Sequence, residues 1–427
     1  MLLPDPRLRS LLEAWSPDAM ARLLNNEALP RLCPGARATD VTIASLTYRP
    51  ARTCIVLYDV AIEGSAALVR LLATFGKPGQ MERAFQQHYA GRDGPSPHAM
   101  LLPEHGCLIE RFPADYELPS LPAALDAHAI GAALSLSAPP AVELLHYVPH
   151  RRCLLRYTAD GVDVVGKLYP QGPGAPRAWA LLRGLDAAQH EAGRRVTPPP
   201  VALLEQHRLV VTEHSNGAPL HRLLARAAED EAIVAVTHAA AELAALHALD
   251  VDVAGERSIA QELAHTRKRN DRLRIVAPAL AAAVDAVLDR VEPLAHAAPA
   301  ASFSFVHGDY KASQVLIEDG RAVAVDFDRA ARGDPALDAG NFLADLHRQA
   351  IITGRDGLRA LDRAFLDAYG APAQLAHRAR LAQVVVLARM AVRAFRHAPH
   401  EYAGSPSTSR SAYLLREAQD CLAALCR

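Results

Sequence analysis

The spacing of hydrophobic residues changes near the middle of the chain. Up to about residue 216, apolar residues come in short strand-like runs such as VTIASLTY (41–48). From residue 217 onward they recur at i, i+3 and i+4, the period of an amphipathic helix, for example in 230–250 and 376–397. Only 303–328 interrupts this half with strand-like runs. The pattern predicts a sheet-rich first half and a helical second half with one embedded hairpin.

The sheet-rich half contains an internal repeat. YRPARTCIVLY begins at Tyr48 and YVPHRRCLLRY begins at Tyr147, and their Tyr, Pro, Arg, Cys and second Tyr match at one constant offset. Each copy continues into a strand that ends near a lysine, which is Lys167 in the second copy, and then into a helical stretch and two more strands. Residues 40–118 and 141–216 are therefore predicted to be two copies of one small α/β unit.

Composition narrows the class of protein. The chain has 427 residues, of which 50% are hydrophobic and 22% charged, with a formal net charge of -1. This balance gives no electrostatic case for nucleic acid or another polyanion as a partner. The basic segment 265–274 is interpreted as a solvated helix face.

Targeting and cysteine signals point to the cytoplasm. No apolar run approaches the roughly 20 residues needed to span a bilayer, so no membrane association is expected. The N-terminus lacks the pattern of a signal peptide, and reduced thiols in a cytoplasmic protein are the expectation. The six cysteines form no CxxC pair, which argues against structural zinc.

The candidate chemistry lies in FVHGDYKASQVLIEDGRAVAVDFD (305–328). Its Asp-Gly pair predicts a hairpin turn, which brings Asp309 and Gln314 near Asp326 and Asp328. Clustered carboxylates need a cation or a basic partner, and hard oxygen ligands suit Mg²⁺ with phosphate better than zinc. From the residues alone, a metal and phosphate site, an acid pair for hydrolysis and ordinary hairpin turns all stay open.

Two motifs in this region resemble those of a known family. HGDYKASQ (307–314) is similar to the catalytic loop of the aminoglycoside phosphotransferase and choline kinase group, which has the protein-kinase fold. VDFDRAARGDPALDAGNFLADL (325–346) resembles the later block of that group, in the same order and at the same spacing. The resemblance implies an α+β, bilobal protein-kinase-like fold with a mixed α/β small lobe, a helical large lobe and an N-terminal accessory domain resembling a second small lobe.

This resemblance also implies a division into domains. Residues 1–125 would form the accessory cap, 126–216 the kinase small lobe, and 217–427 the helical large lobe with the catalytic loop and the metal site. The second copy of the repeat runs directly into the helical half, so it is the copy expected to clamp the nucleotide. The first copy is expected to be a cap packed on the small lobe.

The family's functional residues map onto this chain as follows. Asp309 would orient the acceptor hydroxyl and take its proton. Asp326 would hold Mg²⁺, with Gln314 as a second metal ligand where most members have Asn. Gln at this position resembles the maltokinase-like, sugar-phosphorylating branch. Four residues would support the site: His307 and Asp328, the latter alternatively facing solvent, and Asp334 and Asp338, which would accept backbone N–H bonds.

The nucleotide side departs from the family pattern. The turn YVPHRRC has no glycine-rich loop, so Arg151 and Arg152, with His150, would supply positive charge to the phosphates instead; the alternative is an exposed basic turn. Lys167 would contact the α- and β-phosphates, although the helix after it lacks a Glu partner. The hinge-like VVTEHSNG would offer backbone groups to the nucleobase from three residues: Glu213, His214 and Ser215.

The sequence thus predicts an ATP- and Mg²⁺-dependent phosphotransferase acting on a small-molecule hydroxyl, a sugar or amino sugar, as a monomer or homodimer. Asp345, Arg348 and the segment 388–397 are the candidate wall of the acceptor site. The missing glycine-rich loop keeps open a nucleotide-binding pseudokinase without turnover. A hydrolase with paired carboxylates explains neither the hinge-like segment nor the block after Asp326.

Overall fold

The computed structural model describes residues 2–8, 10–90, 97–159, 161–299 and 301–426. A short helical segment precedes the first sheet and consists of α1 (Leu11–Ala14), α2 (Pro17–Leu23), a π-helical turn (Leu24–Ala28) and α3 (Leu29–Leu32). The sheet is antiparallel, in the order β1-β2-β3-β5-β4. Its elements are β1 (Ala38–Arg49), β2 (Thr53–Ile62), β3 (Leu68–Gly76), α4 (Gln80–His88), β4 (Ala99–Leu102) and β5 (Cys107–Arg111).

A second antiparallel sheet repeats this topology, in the order β6-β7-β8-β10-β9. In both sheets a helix connects the third strand to the fourth. The elements are α5 (Leu121–Leu125), α6 (Ala127–Ala133), β6 (Ala141–Val148), β7 (Arg152–Ala159), β8 (Val162–Leu168), α7 (Gly174–Glu191), β9 (Pro200–Leu204) and β10 (Leu209–Glu213).

The duplication extends to one specific hydrogen-bond arrangement. In the first copy, the hydroxyl of Tyr48 donates to Asp5 Oδ2 at 2.6 Å, and the backbone N–H three residues later donates to the same oxygen at 2.8 Å. In the second copy, the hydroxyl of Tyr147 donates to Asp115 Oδ2 at 2.7 Å, and the N–H three residues later again donates at 2.8 Å. Each sheet is thus tied at its first turn by an aspartate from the segment that precedes it.

The segment that begins at Asp115 lies at the boundary between the two repeated units. Leu118, Leu121 and Ala124 are buried in the core of the second sheet, and the hydroxyl of Tyr157 donates to the carbonyl of Ala124 at 2.9 Å. The segment from Asp115 onward therefore packs with the second sheet. We propose that the cap ends just before Asp115, about ten residues before the boundary at residue 125 that the sequence suggested. The rest of that division into domains stays a proposal.

The second half is helical apart from two small sheets of three strands, β11-β14-β15 and β12-β16-β13. The embedded hairpin is the β14–β15 pair, and its turn has a positive φ at both Asp319 (48°) and Gly320 (72°), as a tight hairpin turn requires. The elements are β11 (Ala218–Pro219), α8 (Leu220–Leu224), α9 (Glu229–His247), β12 (Glu256–Arg257), α10 (Ile259–Leu273), α11 (Pro278–Ala297), β13 (Ser304–Val306), β14 (Val315–Glu318), β15 (Arg321–Ala324), β16 (Ala331–Gly333), α12 (Ala336–Thr353), α13 (Leu361–Tyr369), α14 (Ala373–His397), α15 (Pro399–Gly404) and α16 (Arg410–Leu425).

The first sheet is buried on both faces. One face packs, through Ile55, Leu57 and Leu72, on the core of the second sheet. The other face shares a core with the N-terminal helices and with α10, α11, α14 and α16. The first sheet therefore packs on the second sheet and also on the helical half; the second contact was not predicted from the sequence, and the assignment of the first unit as a cap stays a proposal. Across the described residues, we find no helix with the length and apolar character that a bilayer crossing demands.

Candidate active site

Asp338, in the first turn of α12, holds the catalytic loop. Its carboxylate is 1% exposed and accepts the backbone N–H groups of His307 at 2.6 Å and Gly308 at 2.8 Å, with His247 Nε2 at 3.2 Å. Burial alone would raise the pKa of Asp338, but His247 and His307 lower it below its ordinary value. A buried anion with these donors fixes the loop rigidly. The supporting role expected of Asp338 from the sequence stays a prediction.

Gly308 is required by the shape of this loop. Its φ is 76°, and a Cβ at this position would lie 2.1 Å from the carbonyl oxygen of Arg329 and 2.4 Å from a guanidinium nitrogen of Arg257. That guanidinium donates to the carbonyl of Gly308 at 2.6 Å. The close approach of β12 to the loop therefore excludes any side chain here.

His307 links the two motifs and has no nitrogen available for proton transfer. Its Nε2 lies 3.0 Å from the carbonyl of Val325, and its Nδ1 accepts the N–H of Asp309 at 3.3 Å. Its ring lies 4.6 Å from that of Phe327. These contacts fit a supporting role.

Asp309 is paired with a lysine from its own loop. Lys311 Nζ lies 2.5 Å from Asp309 Oδ2. Burial would raise the pKa of Asp309, but Lys311, followed by Arg329 and Arg389, lowers it below its ordinary value, so the carboxylate is ionised at neutral pH. Sequence reasoning missed Lys311. The lysine two positions after the aspartate was visible, but the spacing alone does not reveal that the side chain turns back.

Asp326 contacts Gln314, its predicted neighbour across the hairpin, and also Lys167 and Arg152, which were predicted to bind phosphate. Lys167 Nζ lies 2.5 Å from Oδ1, Arg152 lies 3.1 Å from Oδ2, and the amide nitrogen of Gln314 donates to Oδ2 at 3.0 Å. Burial opposes ionisation, but Lys167 and Arg152 hold the pKa of Asp326 well below its usual range. The backbone of Asp326 is itself left-handed, with φ 70°. The structure thus brings together three residues predicted from separate parts of the sequence.

Asp328 is exposed but contacts this centre, and its supporting role stays a prediction. It lies 2.7 Å from Lys167 Nζ and accepts the hydroxyl of Tyr169 at 2.8 Å. Among the described residues, the ion-pair partners of Lys167 are Asp326 and Asp328. The two aspartates therefore take the place of the helix Glu that the sequence lacked. Tyr169 is a second residue that sequence reasoning missed.

The oxygen atoms at and around Asp326 are suitable ligands for a magnesium ion. Its carboxylate, the neighbouring carboxylate of Asp328 and the amide oxygen of Gln314 are hard oxygen ligands, the type that Mg²⁺ prefers. The amide nitrogen of Gln314 is used by Asp326, while no described residue donates to its amide oxygen. Gln in place of Asn thus keeps a ligand atom beside the carboxylate.

Hydrogen bonds within the protein already use two of the backbone N–H groups that the predicted hinge would offer to a nucleobase. The N–H of Glu213 donates to the carbonyl of Pro199 at 2.9 Å, and that of His214 donates to the carbonyl of Asp163 at 3.1 Å. Those two N–H groups therefore cannot serve a nucleobase in this arrangement. The N–H of Ser215 has no partner among the described residues, and its hydroxyl donates to Glu318 at 2.9 Å.

The basic turn of the second sheet divides into an inward and an outward part. Arg152 reaches Asp326, whereas Arg151 is exposed and has no ion-pair partner among the described residues. The side chain of His150 is buried 3.6 Å from Glu110 and 3.8 Å from the aspartate that binds the turn, so it does not face phosphate as expected. Burial lowers the pKa of His150, but the contacts with these carboxylates raise it overall.

Asp334 lies farther from the chemistry. It accepts the N–H of Ala336 at 3.0 Å and the guanidinium Nε of Arg378 at 3.0 Å, and so fixes the start of α12. It supports the helix that carries Asp338.

A cavity of about 400 Å³ opens beside Asp309, a size suited to a small molecule. The predicted acceptor wall, with Asp345, Arg348 and the end of α14, lines it. The full lining is Asp309, Lys311, Ser313, Asp345, Arg348, Ile351, Ile352, Arg389, Met390, Arg393, Ala394, His397, Arg410 and Leu414. Another concavity, of about 450 Å³, lies at 183–195 and contains none of the site residues.

A sheet of five antiparallel strands bearing a lysine, and a helical half bearing the two aspartate motifs, define a phosphotransferase of the protein-kinase-like fold. Residues 148–383, more than half of the chain, match the model of the family described as "Phosphotransferase enzyme family". The chain belongs to this family.

One solved structure supports this fold, and two others are similar to the chain. The aminoglycoside phosphotransferase APH(4)-Ia, in a ternary complex with ADP and hygromycin B, has 15% identity and a TM-score of 0.50, covering 70% of this chain and 98% of its own. Choline kinase LicA from Streptococcus pneumoniae has 14% identity and a TM-score of 0.46, covering 70% and 99%. A glucosamine kinase has 19% identity and a TM-score of 0.42, covering 94% and 99%. A search of curated proteins gives no match.

Proposed function

We propose that this protein is an ATP- and Mg²⁺-dependent kinase that transfers the γ-phosphoryl group to a hydroxyl of a small molecule. The observation that carries the proposal is the position of Asp309. It is an ionised carboxylate on the catalytic loop, it borders a cavity of about 400 Å³, and the Lys167–Asp326 pair belongs to the same family pattern. Membership of the phosphotransferase family supports the reaction class.

The residues suit in-line transfer. The acceptor hydroxyl donates a hydrogen bond to Asp309, and its oxygen bonds to the γ-phosphorus while the bond to the bridging β–γ oxygen breaks and ADP leaves. The hydroxyl proton passes to Asp309. Because its pKa is lowered, Asp309 mainly orients the hydroxyl and accepts the proton late, as a loose phosphoryl-transfer transition state requires.

The other charged residues serve the nucleotide. Lys167 and Arg152 are placed to bind phosphate oxygens, and Asp326 with Gln314 would hold Mg²⁺, which neutralises phosphate charge when bound. The N–H of Ser215 is the free donor of the hinge-like segment. A sugar acceptor, a cytoplasmic location and a monomeric or homodimeric state are proposals that rest on the sequence.

A second candidate function is nucleotide binding without turnover. It is favoured by the glycine-free turn that carries Arg151 and Arg152 and by the absence of a Glu partner for Lys167 among the described residues of α7. Against it, a site without turnover has no need of an ionised Asp309 beside an open cavity.

The test is acceptor-stimulated ADP release with Mg-ATP and a panel of sugars, sugar derivatives and amino alcohols. We expect Asp309→Asn to lower this rate by about 10²-fold or more while ATP binding persists. The control is Asp319→Asn, the same substitution at the exposed hairpin turn, which should retain activity. If ATP binds but the wild type is no faster than Asp309→Asn with any acceptor, the second candidate is correct. Loss of ATP binding by the wild type would refute both.

A further inference from the structure

The acceptor cavity carries more positive than negative charge. Four of its cations are paired with carboxylates: Lys311 with Asp309 at 2.5 Å, Arg348 with Asp345 at 2.7 Å, Arg389 with Glu262 at 2.7 Å and Arg410 with Glu401 at 2.5 Å. Arg393, on α14, also lines the cavity, but no carboxylate among the described residues lies within ion-pair distance of it. One guanidinium group in the cavity is therefore available to a ligand.

Arg393 belongs to a larger cluster of arginines. Arg151, Arg269, Arg329 and Arg396 also lack an ion-pair partner among the residues that the structure describes. Burial, followed by the charges of neighbouring arginines, lowers the pKa of Arg396 and of Arg329 to about 10 each. Arg269, an exposed residue of the segment 265–274, has a pKa that is lowered by burial and then by the charges of nearby arginines, Arg389 first.

The nearby acids do not compensate this charge. Glu262 is shared by Arg257 at 3.3 Å and Arg389 at 2.7 Å. Like charges held together repel one another, and a bound anion relieves this repulsion; Arg329 and Arg396 are half-buried, whereas Arg151, Arg269 and Arg393 are exposed. Because the net charge of the whole chain is only -1, the cluster is a local concentration and not a general basicity.

The cap contributes to this arrangement. The carbonyl of Tyr48 accepts a hydrogen bond from Arg396 at 3.2 Å, and that of Leu46 lies 2.8 Å from His397 Nδ1. Strand β1 thus fixes the end of the helix that carries Arg393. The N-terminal unit therefore helps to position the cationic side of the cavity.

We propose that the acceptor is an anionic hydroxyl compound, a phosphorylated or carboxylated sugar, whose anionic group is bound by Arg393 while its hydroxyl reaches Asp309. This inference rests on the proposed function and replaces the amino sugar considered from the sequence, because a cationic amine would be repelled. The phosphoryl transfer is unchanged: the hydroxyl oxygen bonds to the γ-phosphorus, ADP leaves, and Asp309 takes the proton. Guanidinium groups bind phosphate and carboxylate in bidentate geometry.

The nearest alternative is that these arginines serve the phosphates of ATP. Arg151 lies in the turn beside Arg152, which contacts the proposed metal ligand Asp326. Arg393, in contrast, lies in the cavity wall with Arg348 and Ile351, on the side of Asp309 expected to receive the acceptor. Replacing Arg393 by a neutral residue distinguishes these two roles, because it weakens binding of the acceptor in one case and of ATP in the other.

The first experiment compares glucose, glucosamine, gluconate and glucose 6-phosphate by ADP release with the wild type, Arg393→Gln and a control, Arg363→Gln, at an exposed position of α13. We expect an anionic compound to exceed glucose in kcat/KM by at least tenfold. Arg393→Gln should lower that value by about 10- to 100-fold through the KM of the acceptor, with the KM of ATP unchanged. Gluconate against glucose 6-phosphate decides between carboxylate and phosphate.

Two results would overturn the inference. Preference for glucose or glucosamine would leave the kinase proposal intact but refute an anionic acceptor. A rise in the KM of ATP, with the KM of the acceptor unchanged, would assign Arg393 to the nucleotide.

A second measurement does not depend on finding the acceptor. Inorganic phosphate should raise the Tm of the wild type and of Arg363→Gln, and raise that of Arg393→Gln less. Equal shifts in all three proteins would also refute the inference.

Discussion

Replacing Asp338 by Asn tests whether the catalytic loop is positioned by one buried carboxylate. The side chain accepts two backbone N–H groups at 2.6 and 2.8 Å. An Asn of the same shape keeps one acceptor oxygen and turns an NH₂ group toward the other N–H. The charge is lost, and one buried N–H of His307 or Gly308 is left unpaired.

The magnitude follows from these two losses. A hydrogen bond to a charged group contributes about 1.5–3 kcal/mol, and an unsatisfied buried donor costs about 1–3 kcal/mol, so the loop conformation should lose roughly 2.5–6 kcal/mol. A displacement of about 1 Å in a catalytic group costs about 10²-fold in rate. We therefore expect kcat to fall by about 10²-fold in Asp338→Asn, with little change in the KM of ATP.

The assay combines ADP release with thermal unfolding, and the control is Asp334→Asn. Asp334 is also buried near the start of α12, but its bonds go to Ala336 and Arg378 and not to the loop. The control should lose stability yet keep kcat within a few-fold. If Asp338→Asn loses stability and keeps its kcat, the carboxylate stabilises the helix and does not position the loop.

Two further predictions concern charge. Lys167→Met removes the ammonium that neutralises Asp326 and Asp328, so kcat/KM for ATP should fall by about 10²-fold; Lys77→Met, directly after β3 of the first copy, should have no effect, and equal losses would contradict the assignment. Burial raises the pKa of Glu242, on α9, to about 8 in the folded state. The protonated side chain therefore contributes stability that is fully present below about pH 4.5 and is lost as the pH rises through 8. Glu242→Gln should therefore raise the free energy of unfolding by about 2–5 kcal/mol at pH 8.5 and hardly at pH 4.5. The control, Glu229→Gln, is exposed on the same helix and should leave the free energy of unfolding unchanged at both pH values. An equal gain for Glu242→Gln at both pH values would refute the buried-acid explanation.

The elements that the sequence predicted are those governed by local rules. Identities at one constant offset indicated the two repeated units, helical spacing indicated the helical half, and an Asp-Gly pair indicated the β14–β15 hairpin. The motif positions then followed, because a hairpin necessarily returns Asp326 to the neighbourhood of Gln314. The resemblance to the phosphotransferase family added the fold, which the comparisons confirm.

What the sequence could not give are contacts between distant segments. Tyr169 reaches Asp328 across 159 positions, and no periodicity relates the two. The contact between the His307 ring and the Val325 carbonyl likewise follows from how the chain folds and not from any spacing in the sequence. The arginine cluster was hidden for a different reason: a net charge of -1 averages over the chain and conceals where the charges are concentrated.

The duplication connects the cap to the cluster. Arg52 in the first copy and Arg151 in the second occupy the same position of the repeat, in turns fixed by the same tyrosine–aspartate arrangement. After burial, the charge of Arg151 and then that of Arg52 lower the pKa of Arg49, so both turns direct arginines toward one region. The first copy has no catalytic loop of its own, but it keeps the turn that adds positive charge. We propose that this unit supports the cationic side of the cavity, because its strand β1 contacts the end of α14 and its turn carries Arg52.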